Sequence, residues 1–60
     1  MIKTLFKTPF SILVIEDEPS LLETIKQVLE SECFVVEGAG NGQTALEKIA
    51  RHPFSLVLID

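Results

Sequence analysis

Hydrophobic residues gather along the chain in short unbroken runs: Ile12-Leu13-Val14-Ile15, Cys33 to Val36 and Leu56 to Ile59. Each is rich in β-branched residues and lacks polar alternation, the pattern of a parallel strand buried on both faces. Between the first two runs the period changes. Leu21, Leu22, Ile25, Val28 and Leu29 recur at helical spacing, with Glu23, Lys26, Gln27 and Glu30 elsewhere. Pro19 stands near the start of this stretch, where its missing N–H costs a helix no hydrogen bond. Between the second and third runs, Ala45, Leu46, Ile49 and Ala50 form another apolar stripe. It is preceded by Gly38-Ala39-Gly40-Asn41-Gly42, read as a loop, and ended by Arg51-His52-Pro53. The residue before a proline is driven from helical backbone angles, so His52 is expected outside the helix.

The predicted order is β-α-β-α-β. Right-handed crossovers place the second and third strands on opposite sides of the first. The expected architecture is therefore an α/β, doubly wound parallel sheet of the flavodoxin-like kind, in strand order 2-1-3, with one helix on each face and both apolar stripes in the core. Parallel strands share a direction, so the carboxyl ends of the first and third lie side by side. Glu16 and Asp17 follow the first strand and Asp60 follows the third. These acids converge at the crevice where the winding reverses, which is where ligands bind in open α/β sheets.

Length and charge narrow the possibilities. At 60 residues the chain is at most one small domain with a marginal core. The net charge is -4, and the basic residues Lys3, Lys7, Lys26, Lys48 and Arg51 are scattered. No stripe would follow a phosphate backbone, which argues against direct nucleic-acid binding by this segment. The single cysteine, Cys33, cannot form an intrachain disulfide and is expected to be a small buried hydrophobe. Residues 1–10, MIKTLFKTPF, are read as a leader: they lack the continuous apolar region and small-residue cleavage site of a signal peptide. No later stretch has the length to span a membrane, and the expected location is the cytoplasm.

Three converging carboxylates either raise one another's pKa or recruit a cation. Hard oxygen ligands with no histidine or cysteine among them suit Mg²⁺, which takes one or two carboxylates and keeps several waters. A carboxylate beside such an ion can attack phosphorus, because the ion neutralises charge on the transferring group. Asp60 is the candidate nucleophile, Glu16 and Asp17 are the candidate metal holders, and Asp60 is counted with them as a metal ligand. A plainer reading is that Glu16, Asp17 and Glu18 favour the positive end of the helix that follows, worth a few tenths to about 1 kcal/mol. Glu18 is assigned to that reading, as a solvated charge.

Two other features invite chemistry and are set aside. Gly38 to Gly42 spells G-x-G-x-G after the second strand and lacks the third glycine of a dinucleotide site at the required spacing. A tight turn is expected, with Asn41 or a glycine supplying a positive φ or a cap. His52 has no serine or cysteine nucleophile placed for it and is read as part of a surface connector.

The residues now carry a family resemblance. ILVIEDEPS resembles the first strand and acidic pocket of two-component response-regulator receiver domains, AGNGQTAL their turn into the second helix, and FSLVLID the strand bearing the phosphoacceptor. The resemblance covers Ser11 to Asp60, read as the N-terminal half of a receiver. It implies Glu16 and Asp17 as the acidic pair, with Asp17 the more direct Mg²⁺ ligand and Glu16 reaching the metal through water. It implies Asp60 as the aspartate that accepts phosphate from a sensor histidine kinase or phosphotransfer protein. It further implies a module that catalyses only its own phosphorylation and dephosphorylation, and so not a conventional enzyme. The family's remaining parts are a backbone carbonyl after the phosphoacceptor, a Ser or Thr ending strand four, a Lys ending strand five and a signalling face from helix four to helix five. All would lie beyond Asp60, so the sequence is expected to be a fragment of a larger protein or a truncated product. Its third strand is then an open edge, and the 60 residues alone are expected to be partly unfolded or to associate through that edge, and not to be phosphorylated at Asp60.

A second function class shares part of this pattern. A Mg²⁺-dependent phosphotransferase or nuclease of the Toprim type also places an acid after strand one and acids after strand three. It would want a further acid two residues beyond Asp60.

Overall fold

The computed structural model describes residues 10–59 of the chain. They form β1 (Ser11–Ile15), α1 (Pro19–Ser31), β2 (Val35–Ala39), α2 (Gly42–Arg51) and β3 (Leu56–Ile59). The three strands make one parallel sheet in the order β2-β1-β3. This is the doubly wound, flavodoxin-like arrangement expected from the sequence.

β1 is central, and its side chains alternate between two cores. Ile12 and Val14 join Val36 on one face, where Leu22, Ile25 and Leu29 of α1 and Phe34 pack against them. Leu13, fully buried, joins Ala39 and Ala45 of α2 on the other, with Ile15, Phe54 and Val57 around them. Period-two alternation in the strand thus puts one helix on each face.

Burial at β3 follows the open-edge expectation and not the both-faces pattern of its apolar run: Leu56, Leu58 and Ile59 are exposed, Ile59 at 75%. Both helices pack over β1 and β2, and neither reaches β3. Nor are the helical stripes wholly core. Leu21 and Val28 of α1 and Leu46 and Ile49 of α2 are exposed, because each helix buries only the part of its stripe that faces the β1–β2 half of the sheet.

The second strand begins later than its apolar run. α1 ends in a tight reversal in which Cys33 N–H donates to Glu30 O (3.0 Å) and Phe34 N–H to Leu29 O (3.3 Å). That pair of bonds is the Schellman pattern, which requires a left-handed residue just past the helix. Cys33 fills that position with φ 71°. It is exposed, contrary to the expected buried hydrophobe, because the reversal spends this residue on changing direction. Phe34 returns to pack against the cluster of Ile12, Val14 and Val36 and meets Phe10 edge to face at 5.7 Å. β2 then continues through Glu37 and Gly38 to Ala39, residues partly read as loop from the sequence.

Only Gly40 and Asn41 remain to connect β2 with α2. Asn41 caps the helix: its Oδ1 accepts from Thr44 N–H at 2.8 Å. No described glycine has a positive φ, so of the two roles expected in this turn the cap is the one used. α2 ends at Arg51, and His52, its C-cap, has extended backbone (φ -136°, ψ 137°) before Pro53 as expected. Among the described residues no helix is long and apolar enough to cross a membrane.

Candidate acidic site at the carboxyl edge of the sheet

Glu16 is the first residue past β1. Its N–H donates to Ala39 O at 3.0 Å, which extends the β1–β2 pairing one step beyond the strand. The side chain is buried, only 5% exposed, and turns back along the loop so that Oε2 accepts from Glu18 N–H at 3.0 Å. A buried carboxylate needs such donors to offset its lost hydration. The bond also satisfies a backbone donor at the start of α1, and it sets a negative charge at the helix's positive end.

The neighbours of Glu16 have different roles. Asp17 is exposed in the bend between strand and helix. Glu18 takes the N-cap position with extended backbone (φ -96°, ψ 112°), but its side chain does not cap. Its Oε1 instead accepts from the Ser20 hydroxyl. The expectation for Glu18, an exposed charge at the helix start, agrees with its position. Pro19 occupies the first turn, as its missing N–H favours.

Asp60, the candidate nucleophile, lies outside the described residues. What the structure gives is the strand that leads to it. β3 runs parallel to β1 with Ile59 level with Ile15, so the residues immediately before Asp60 and Glu16 are partners across the sheet. Among the described residues no three or more His, Cys, Asp or Glu side chains gather as a metal site. The acids that are described suit a hard cation in type: two adjacent carboxylates, oxygen donors only, one anchored by backbone and one open to solvent.

The opposite, amino-terminal edge of the sheet holds a shallow hollow of about 390 Å³ lined by Ser11, Glu37, His52, Phe54 and Ser55 among others. Its polar groups are engaged in structure. Ser11 N–H donates to Ser55 Oγ (3.1 Å), Ser55 N–H to Ser11 O (2.8 Å), and Glu37 pairs with Lys48 at 3.3 Å. His52 is exposed and meets Phe54 edge to face, which suits the expected connector.

Sequence reasoning missed two contributors to the acidic loop. The fold-back of Glu16 onto Glu18 N–H has no sequence signature beyond a carboxylate two residues before an N-cap. Gly38 was read as a turn residue. Its place two residues after Val36 would have signalled a strand position on the α1 face.

The model of the response regulator receiver domain family matches residues 12–60. The chain is similar to the response regulator GtcR of Aneurinibacillus migulanus, with 38% identity over 50 residues that make up 83% of this chain and 21% of that protein. It is also similar to the transcriptional regulatory protein SrrA of Staphylococcus aureus, with 35% identity over 49 residues, 82% of this chain and 20% of that protein. The chain thus spans about a fifth of the length of these curated relatives. No solved structure matches it significantly.

Proposed function

The chain belongs to the response-regulator receiver family, and from that premise we propose that residues 11–60 form the N-terminal half of a phosphoacceptor switch in which Asp60 is phosphorylated. The family works in two-component signalling, which favours this reading over a Toprim-type nuclease. The observation that carries it is the parallel register of β1 and β3, with Ile15 opposite Ile59, which leads two acids and Asp60 out of neighbouring strands.

In this reading an Asp60 carboxylate oxygen attacks the phosphorus of a phosphohistidine on a sensor kinase or phosphotransfer protein. The new O–P bond forms as the N–P bond breaks, and the histidine nitrogen regains a proton. Mg²⁺, when bound, neutralises charge on the phosphoryl oxygens. Asp17, whose carboxylate is exposed, would hold the ion directly, and Glu16 would reach it through water. Hydrolysis of the acyl phosphate resets the switch, so the module's chemistry is confined to itself. The added charge and acceptor oxygens bias a conformational equilibrium in the complete domain. The action is placed in the cytoplasm, residues 1–10 act as a leader, and the uncovered β3 edge supports association between copies of the 60-residue polypeptide.

The test uses the chain continued through the second half of a receiver taken from a relative such as GtcR, hereafter the completed receiver. Acetyl phosphate and Mg²⁺ are expected to add one phosphoryl mass to this protein and none to its Asp60→Asn variant. Equal uptake by the two would refute the assignment.

A further inference from the structure

The acidic loop is pinned at both feet on consecutive residues of β2. One foot is Glu16, whose N–H is held by Ala39 O at 3.0 Å. The other is Leu22 of α1, whose side chain sits directly on Gly38. A methyl group built on Gly38 would stand 2.9 Å from Leu22 Cδ2, 3.0 Å from Cδ1 and 3.1 Å from Cγ. Two bonds span the distance between the feet. Leu22 N–H donates to Glu18 O at 2.9 Å, and Glu18 N–H donates to Glu16 Oε2 at 3.0 Å. These contacts close a ring through Ala39, Glu16, Glu18, Leu22 and Gly38, with Asp17 in the arch between Glu16 and Glu18.

The geometry points to Gly38 as a positioning residue for the acidic loop. It touches none of the acids, but its lack of a side chain lets the first turns of α1 settle against β2. That seat fixes how far the arch carrying Asp17 stands from the sheet. The reasoning turns on space and not on backbone freedom, since Gly38 has no positive φ. The whole branched end of Leu22 occupies the space a Cβ would need, and half-buried Leu22 packs, with Ile25 and Leu29, against the cluster of Ile12, Val14 and Val36. Close-packed interiors transmit such a displacement and do not absorb it. With Ala at position 38 the Leu22 side chain must shift, and because it is wedged between β2 and that cluster the shift is expected to pass to the helix start and through Glu18 to the loop. The consequence for a metal rests on the reading of Asp17 as a ligand; the displacement of the loop does not.

The experiment compares Gly38→Ala, Leu22→Ala and the double variant in the completed receiver. It reads the metal-free amide resonances of residues 16–18 and then the Mg²⁺ affinity. Gly38→Ala should displace the resonances of Asp17 and Glu18 and weaken Mg²⁺ binding by about tenfold, the scale of loss when groups that orient metal ligands are disturbed. Both effects should vanish in the Leu22→Ala background, where the added methyl has room. Unmoved resonances with unchanged affinity, or the same loss in both backgrounds, would overturn the inference. A parent protein that binds no Mg²⁺ would fail the metal reading alone, and the resonances would still decide the role of Gly38. Should Gly38→Ala not fold, folding of the double variant supports the seat, and failure of the double variant where Leu22→Ala folds refutes it.

Discussion

Replacing Cys33 by glycine should stabilise this fold, although the substitution removes atoms and adds no contact. Cys33 holds φ 71° as the left-handed residue of the turn that ends α1. A side chain in that conformation costs roughly 1 to 2 kcal/mol through crowding of Cβ against the backbone. Glycine escapes that cost but forfeits roughly 0.5 to 1 kcal/mol through its greater freedom in the unfolded chain. The thiol is exposed, so no packing is lost. The net gain should be about 0.5 to 1 kcal/mol. The two reversal bonds, Cys33 N–H to Glu30 O and Phe34 N–H to Leu29 O, involve only backbone and survive the change. Urea unfolding of the completed receiver under reducing conditions measures this as a higher midpoint at unchanged slope. Cys33→Ala is the control. It keeps the Cβ and should lie within about 0.5 kcal/mol of the parent, as surface substitutions do. A glycine variant no more stable than the alanine variant would show that the left-handed turn carries no strain, and the account of this helix end would fall.

Two further outcomes are expected. Asp17→Asn in the completed receiver should weaken Mg²⁺ binding by about tenfold or more, since even groups that only orient ligands matter on that scale; Glu18→Gln should change it far less, and a calorimetric titration giving the reverse order would mean the loop's register is misread. The 60-residue polypeptide alone should be partly unfolded or associated, because uncovered Leu56, Leu58 and Ile59 leave burial short of an ordering entropy of roughly 1 to 2 kcal/mol per residue for the backbone. Sedimentation showing a monomer, together with a sharp cooperative melt, would contradict this.

Much of the fold was legible because its signals are local. β1 is an unbroken apolar run, α1 carries a helical stripe behind Pro19, and α2 stops before His52-Pro53, so element order and handedness fixed the strand order. The run at Cys33 misled because hydrophobicity does not reveal that a helix will end in a left-handed turn at that residue. The exposure of Leu46 and Ile49 was equally hidden. A stripe shows that a helix has an apolar face, but not how much of that face the rest of the fold covers. At the site, the placement of Glu16 and Asp17 past β1 followed from sequence, since strand ends are marked by the change from Ile15 to acid. The fold-back of Glu16 and the seat of Leu22 on Gly38 depend on three-dimensional spacing of a few tenths of an ångström, which no residue pattern encodes.

The alternation along β1 has a consequence for how such a chain can change over generations. Ile12, Val14 and Val36 belong to one cluster and Leu13, Ala39 and Ala45 to the other, and the two meet across the backbone of β1 and β2. Changes in size beneath α1 can therefore be compensated beneath α1, while the packing of Ala45 under α2 is left undisturbed, since substitutions without shared partners act nearly independently. Each side of the sheet is free to drift on its own, and a lineage can rebuild one helix's footing while the other stays as its ancestor left it.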